Sequence, residues 1–87
     1  MFRLKVLSTA EKDLGRMDRE IARLVIKRLR WLAENYGSIT PIPLKGEFKE
    51  MHKFRVGDYR VLYSVNLDKQ IVIVHYVRHR REAYKDK

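Results

Sequence analysis

The chain has no cysteine among its 87 residues. Disulfide bridges, thiolate zinc sites and cysteine nucleophiles are excluded together, so any chemistry falls to Lys, Arg, His, Tyr, Asp, Glu, Ser or Thr. No apolar run approaches the roughly 18 residues of a membrane-crossing helix. The opening residues, Met1 to Leu7, are too few and too interrupted by charge for a signal peptide. A cytoplasmic location with no membrane partner is the expectation. Internal repeats, low-complexity stretches and a dividing linker are also missing, so residues 1–87 are read as a single domain. A domain of this size buries only about 60–65% of the surface its unfolded chain exposes, which allows one modest core.

Acidic residues are scarce relative to basic ones: 11 Asp and Glu stand against 20 Lys and Arg, a net charge of +9. A field of that sign concentrates polyanions, but charge alone does not say which. The excess does not localise the site, because residues 1–44 hold nine cations against five carboxylates and residues 45–87 hold eleven against six. Localisation must come from which side chains face the same way.

Phe2-Arg3-Leu4-Lys5-Val6-Leu7 alternates apolar and basic residues with the period of a half-buried strand. Ser8 or Thr9 is the expected N-cap of a short helix to about Arg16, and Asp18 that of a longer one. In the longer helix Ile21, Leu24, Val25, Leu29, Leu32 and Tyr36 follow the i, i+3, i+4 rule for a buried stripe. Its other face carries Arg19, Arg23, Lys27 and Arg30, read as a solvated surface, and Gly37 suits a left-handed C-terminal cap. Trp31 and Tyr36 are assigned to core or interface. Both prolines, Pro41 and Pro43, fall in an extended link, with an edge pairing expected at Leu44. Three strands follow: Met51 to Val56, a turn at Gly57-Asp58, Tyr59 to Val65, a turn over Asn66 to Lys69, and Gln70 to Val77. A short helical turn is expected in the tail. The fold class is α+β: an N-terminal strand, an antiparallel helical hairpin and a three-stranded antiparallel meander, with the helices on one face of the sheet.

Side chains two apart on a strand share a face. Lys53 therefore points with Arg55, Arg60 with Leu62 and Ser64, and Tyr76 with Arg78 and Arg80, with Tyr84 just beyond. Cations fixed on an open sheet face grip phosphates, and an aromatic stacks on a base. His75 and His79 have a helical metal-ligand spacing, but on a strand they stand roughly 13 Å apart; no metal site is expected, and His75 is read as a half-buried sheet residue.

The run Phe54-Arg55-Val56-Gly57-Asp58-Tyr59-Arg60-Val61-Leu62-Tyr63, followed by Val77-Arg78-His79-Arg80-Arg81-Glu82-Ala83-Tyr84, resembles the RelE/ParE superfamily of toxins from toxin–antitoxin pairs. The likeness extends over nearly the whole chain, including the Leu44-Lys45-Gly46 step before the meander. Its RelE branch implies a ribosome-dependent endoribonuclease acting on mRNA with no metal or other cofactor, and a RelB-like antitoxin as partner. By that resemblance Lys53 is a base or charge stabiliser, and Arg55 and Arg60 hold the phosphate. Arg80 serves the leaving group and Tyr84 orients the nucleotide. Lys45, Lys49, Arg78 and Arg81 are further RNA-binding cations. Some RelE members carry a Lys-x-Lys pair where this chain has Met51 or Lys53 and Arg55. Because arginine is a poor base, His79 is the preferred alternative proton acceptor over His52 and Glu50. The ParE branch implies instead a gyrase inhibitor that cuts nothing, and a third alternative is a decayed homologue that only binds its antitoxin.

Overall fold

The computed structural model describes residues 1–39, 41–43 and 50–81. Strand β1 (Arg3–Val6) leads into helix α1 (Ser8–Gly15) and then helix α2 (Arg19–Glu34). A 3-10 turn over Tyr36–Ser38 follows, and then strands β2 (Ile42–Pro43), β3 (His52–Val56), β4 (Tyr59–Asn66) and β5 (Ile71–His79). Among the described residues they form a five-stranded sheet in the order β1-β5-β4-β3-β2. Pairing is antiparallel except between β1 and β5, which run parallel with Arg3 beside Ile71 and Val6 beside Val74. The α+β class and the meander are as expected.

The buried face of the sheet presents Val56, Val61, Tyr63, Val72, Val74 and Val77 to Val25, Leu29, Leu32 and Ala33 of α2 and Ala10 of α1. Each fully buried Val or Leu contributes about 1.5–3 kcal/mol. Helix α2 forms because its 16 residues hold no Gly or Pro and are mostly strong helix formers. It stops at Asn35, whose backbone N–H and side-chain Nδ2 both donate to the carbonyl of Trp31, at 2.9 and 2.8 Å. The expected left-handed cap at Gly37 is absent; Gly37 sits inside the 3-10 turn, and Gly57 is the described glycine with positive φ. Ile21 and Leu24, placed on the buried stripe by periodicity, are exposed. Periodicity gave the helix a stripe wider than the sheet beneath it covers.

Helix α1 begins at Ser8, so its N-cap is Leu7 rather than Ser8 or Thr9; Asp18 caps α2 as expected in position, but makes no side-chain capping bond. The reason at α1 lies at the sheet edge. β1 covers β5 only as far as Val74, and α1 takes over from there. The N–H of Leu7 donates to the Val74 carbonyl at 3.0 Å. The Thr9 hydroxyl then donates to the His75 carbonyl, and Asp13 Oδ2 accepts the Val77 N–H at 2.9 Å. Polar side chains of a helix thus satisfy backbone groups that a longer β1 would have paired. The edge pairing foreseen at Leu44 falls instead on Ile42 and Pro43, which face Lys53 and His52; Leu44 and the tail turn lie outside the described residues. Gly57 takes φ +57° in the two-residue β3–β4 turn, a conformation that glycine adopts without steric cost. β5 continues two residues past its expected end, to His79.

Candidate nucleic-acid interface

Directly opposed residues in an antiparallel pair share a face, so the register places each site residue. Lys53 faces Leu62, which faces Tyr76; Arg55 faces Arg60, which faces Arg78. These two rows cross β3, β4 and β5 on the side away from the helices. With strands about 4.8 Å apart, three guanidinium-bearing side chains rise from adjacent positions of one row. Like charges placed so disfavour the sheet by a few tenths of a kcal/mol per pair. A bound polyanion removes that cost.

Arg78 is held from two sides. Its guanidinium carbon lies 4.7 Å from the centre of the Tyr76 ring, and its Nε is 3.5 Å from Asp13 Oδ2. Arg55 Nε donates to the Gly57 carbonyl at 3.3 Å, which keeps its side chain near the β3–β4 turn. Arg80 has left the strand: its N–H donates to the Asp58 carbonyl at 2.7 Å, and its guanidinium stands 3.9 Å from the Asp58 carboxylate. Tyr76 and Arg78 therefore share a face as expected, whereas Arg80 flanks the same end of the sheet from the turn. The row is completed by Arg78, which sequence reasoning had ranked below Arg80.

Lys45, Lys49 and Tyr84 lie outside the described residues. Arg81 is exposed at the end of the chain described, and its N–H donates to His79 Nδ1 at 3.2 Å. His79 pairs in register with Tyr59 and packs edge-on against that ring, centroids 5.3 Å apart, on the helix side. His52 also faces the helices, beside Tyr63 at 5.5 Å, with its Nδ1 buried and lacking a hydrogen-bond partner. Glu50 is exposed in the turn before β3. The two imidazoles considered as proton acceptors are thus on the far side of the sheet from the cationic row.

A different imidazole is on the near side. Leu62 pairs with Tyr76 and Tyr63 with Val74, so His75 is the extra residue of a β-bulge. A bulge re-aims the side chain at which it occurs, and here His75 Nε2 lies 2.7 Å from the Ser64 hydroxyl, on the face of Arg60 and Leu62. Partial burial holds its pKa below the usual 6.5, which favours the neutral ring at pH 7. Sequence alternation carried a trace of this. The buried positions of β5 are Val72, Val74 and Val77, and the step of three where two is regular marks the bulge.

A second surface lies on α2. Leu24 is 49% exposed and Trp31 40%. Trp31 stacks on Phe54 at 6.3 Å, with the Arg28 guanidinium 4.9 Å above its ring. Arg23, Ile26, Lys27, Arg30, Trp31 and Glu34 line a shallow depression there, an apolar strip bordered by cations. Among the described residues no helix is long and apolar enough to cross a membrane, and no cluster of three potential metal ligands occurs.

An N-terminal strand parallel to the last one, two helices on one face and a cationic row on the other make up a small basic α+β domain. The family described as "ParE toxin of type II toxin-antitoxin system, parDE" matches residues 4–84, and the chain belongs to it: it is a toxin of a type II toxin–antitoxin pair. The chain is 25% identical over 84 residues to Toxin RelE of Mycobacterium tuberculosis, covering 97% of this chain and 87% of that protein. Its fold is that of the toxin in the M. tuberculosis RelBE2 toxin–antitoxin complex, with a TM-score of 0.81 at 24% identity over 90% of this chain and 96% of that one. The isolated E. coli RelE toxin gives 0.72 at 22% identity over 91% and 84%. The RelB–RelE antitoxin–toxin complex from Methanococcus jannaschii gives 0.70 at 27% over 95% and 98%.

Proposed function

We propose that this toxin is a ribosome-dependent mRNA endoribonuclease that inhibits translation in the cytoplasm. The observation that carries the reading is the register row Arg55, Arg60 and Arg78 with Lys53 in the neighbouring row. In the proposed reaction the ribose 2′-oxygen attacks the adjacent phosphorus and the bond to the 5′-oxygen breaks, leaving a 2′,3′-cyclic phosphate and a 5′-hydroxyl. Charge builds on the phosphoryl oxygens in the transition state, and preorganised cations stabilise it there more than in the ground state. Arg60, flanked by Arg55 and Arg78, holds the phosphate. Lys53 adds a point charge, Arg80 serves the leaving oxygen from the β3–β4 turn, and Tyr84 orients the base. Lys45, Lys49 and Arg81 extend the phosphate contacts. The reaction needs no metal or organic cofactor.

The partner is an antitoxin, supported by the toxin–antitoxin complexes among the structural relatives. The cation-bordered apolar strip of α2 suits an amphipathic, acidic helix. The test of the nuclease reading is cleavage of message on programmed ribosomes, mapped by primer extension. The chain should cut, and the double substitution Arg60→Ala, Arg80→Ala should remove both cutting and growth arrest while remaining folded. Growth arrest by that variant at the unmodified level would sink the site.

The family match itself favours a second reading, in which the toxin inhibits DNA gyrase without cutting nucleic acid. Cells expressing it would then accumulate DNA damage and keep their messages whole.

A further inference from the structure

The cationic row binds and stabilises charge, yet 2′-oxygen attack also needs somewhere for the hydroxyl proton to go. Guanidinium groups stay protonated at any physiological pH. His52 and His79 face the helices. The bulge at His75 supplies what that face otherwise lacks: an imidazole bonded through Nε2 to the Ser64 hydroxyl at 2.7 Å, both side chains only partly buried.

We propose that Ser64 and His75 form the proton-accepting pair of the nuclease site, with the Ser64 hydroxyl relaying the 2′-hydroxyl proton to His75 Nε2. The proposal rests on the nuclease reading. Along β4, Ser64 lies about 7 Å beyond Leu62 and about 13 Å beyond Arg60, by a rise of roughly 3.3 Å per residue. For the pair to serve the attacking 2′-hydroxyl, the long side chains of Arg60 and Lys53 reach along the strand over the buried Leu62, so that the phosphate they hold lies beside Ser64 rather than above their own backbone positions.

The step balances. Ser64 gives its proton to Nε2 as it takes the proton of the 2′-hydroxyl. The bond from the 2′-oxygen to phosphorus forms and the bond from phosphorus to the 5′-oxygen breaks, with its electron pair on the 5′-oxygen, which takes a proton from water. The imidazolium then returns its proton to solvent. The neutral ring that burial favours is the state that can accept. Serine in this role is unchanged at the end of the cycle.

The elements around the ring hold its position. The Thr9 hydroxyl donates to the His75 carbonyl from α1. The charged groups facing this part of the sheet are Lys5 on β1, Lys53 on β3, Arg60 on β4 and Arg78 on β5, with Asp13 on α1 turned to Arg78 and the Val77 N–H. Tyr76 is the neighbouring phenol on β5.

The experiment is single-turnover cleavage of a defined message on programmed ribosomes between pH 5 and 8, with His75→Gln, Ser64→Ala and Arg60→Ala beside the unmodified chain. Circular dichroism and ribosome co-sedimentation check folding and binding. His75→Gln keeps a hydrogen-bonding group near Ser64 but cannot take a proton, and its rate should fall by about 100-fold or more, with ribosome binding retained and the loss of rate toward acid pH abolished. Ser64→Ala, with folding checked in the same way, should fall in the same direction. If both variants cut within threefold of the unmodified chain and keep its acid limb, the pair is not the acceptor and the nuclease reading stands. If the unmodified chain does not cut at all, the nuclease reading falls, and the pair's role with it.

Discussion

Arg60 on β4 is the direct register partner of Arg78 on β5. Two cations opposed on one sheet face weaken the pairing they sit on, and Arg55 repeats the arrangement on the other flank of Arg60. Arg60→Ala should change stability by no more than about 1 kcal/mol in urea unfolding, while removing growth arrest. Growth arrest kept by a folded Arg60→Ala variant would remove Arg60 from the proposed site.

Asp13 ties that row to the helical layer. Its carboxylate accepts the Val77 N–H and pairs with Arg78. Asp13→Ala leaves a partly buried donor unsatisfied and should cost about 1–3 kcal/mol. Asp13→Asn, which keeps a carbonyl acceptor, should cost less. Equal urea midpoints for the two variants would contradict this account of the sheet edge.

Binding of a single-stranded oligoribonucleotide should depend steeply on salt. Each phosphate neutralised releases counterion at roughly 0.7 per contact for single strands. With Lys53, Arg55, Arg60 and Arg78 engaged, the logarithmic plot should have a slope near about −3, by the same rule. Replacing any one of the four by alanine should flatten it by about 0.7. A slope that ignores these substitutions would place the phosphates elsewhere.

His75 gives the stability a pH dependence. Its folded pKa is depressed by burial, whereas the unfolded chain titrates near 6.5. Below that value the unfolded chain binds the proton more readily, so stability is full above about pH 6.5 and declines as pH falls toward the folded value. His75→Gln should remove this component of the decline, seen as a smaller drop in the thermal midpoint between pH 7.5 and 5.5.

Leu24, half exposed on α2, tests the proposed antitoxin surface. Leu24→Glu should alter folding stability by no more than about 0.5 kcal/mol, as surface changes do. It should weaken antitoxin binding at least tenfold by titration calorimetry, since it puts a carboxylate on the strip proposed to receive an acidic helix.

Local pattern read much of this molecule. Alternation in Phe2 to Leu7, the β-branched and aromatic content of Tyr59 to Val65, the helical spacing of Val25, Leu29 and Leu32, and the turn at Gly57-Asp58 each depend on residues a few positions apart, and each element stands where its pattern put it. The same locality explains the misses. Ile21 and Leu24 obey helical periodicity yet meet no sheet. Thr9 was a sound capping residue whose hydroxyl is spent on a strand 66 positions away.

What the amino-acid order determined by itself was the set of elements and the scarcity of acidic and sulfur-bearing side chains, hence a basic α+β domain with chemistry left to Lys, Arg, His, Tyr, Asp, Glu and hydroxyl groups. Which of those groups meet was decided in three dimensions. Arg78 rather than Arg80 completes the row because β5 runs on to His79 before Arg80 turns toward Asp58. His75 rather than His79 joins that face because one extra residue in β5 shifts the register. A strand's side chains alternate with period two, so a single bulge moves everything beyond it to the opposite face. Local spacing carries no measure of a partner strand's register, and that register decides which residues can act together.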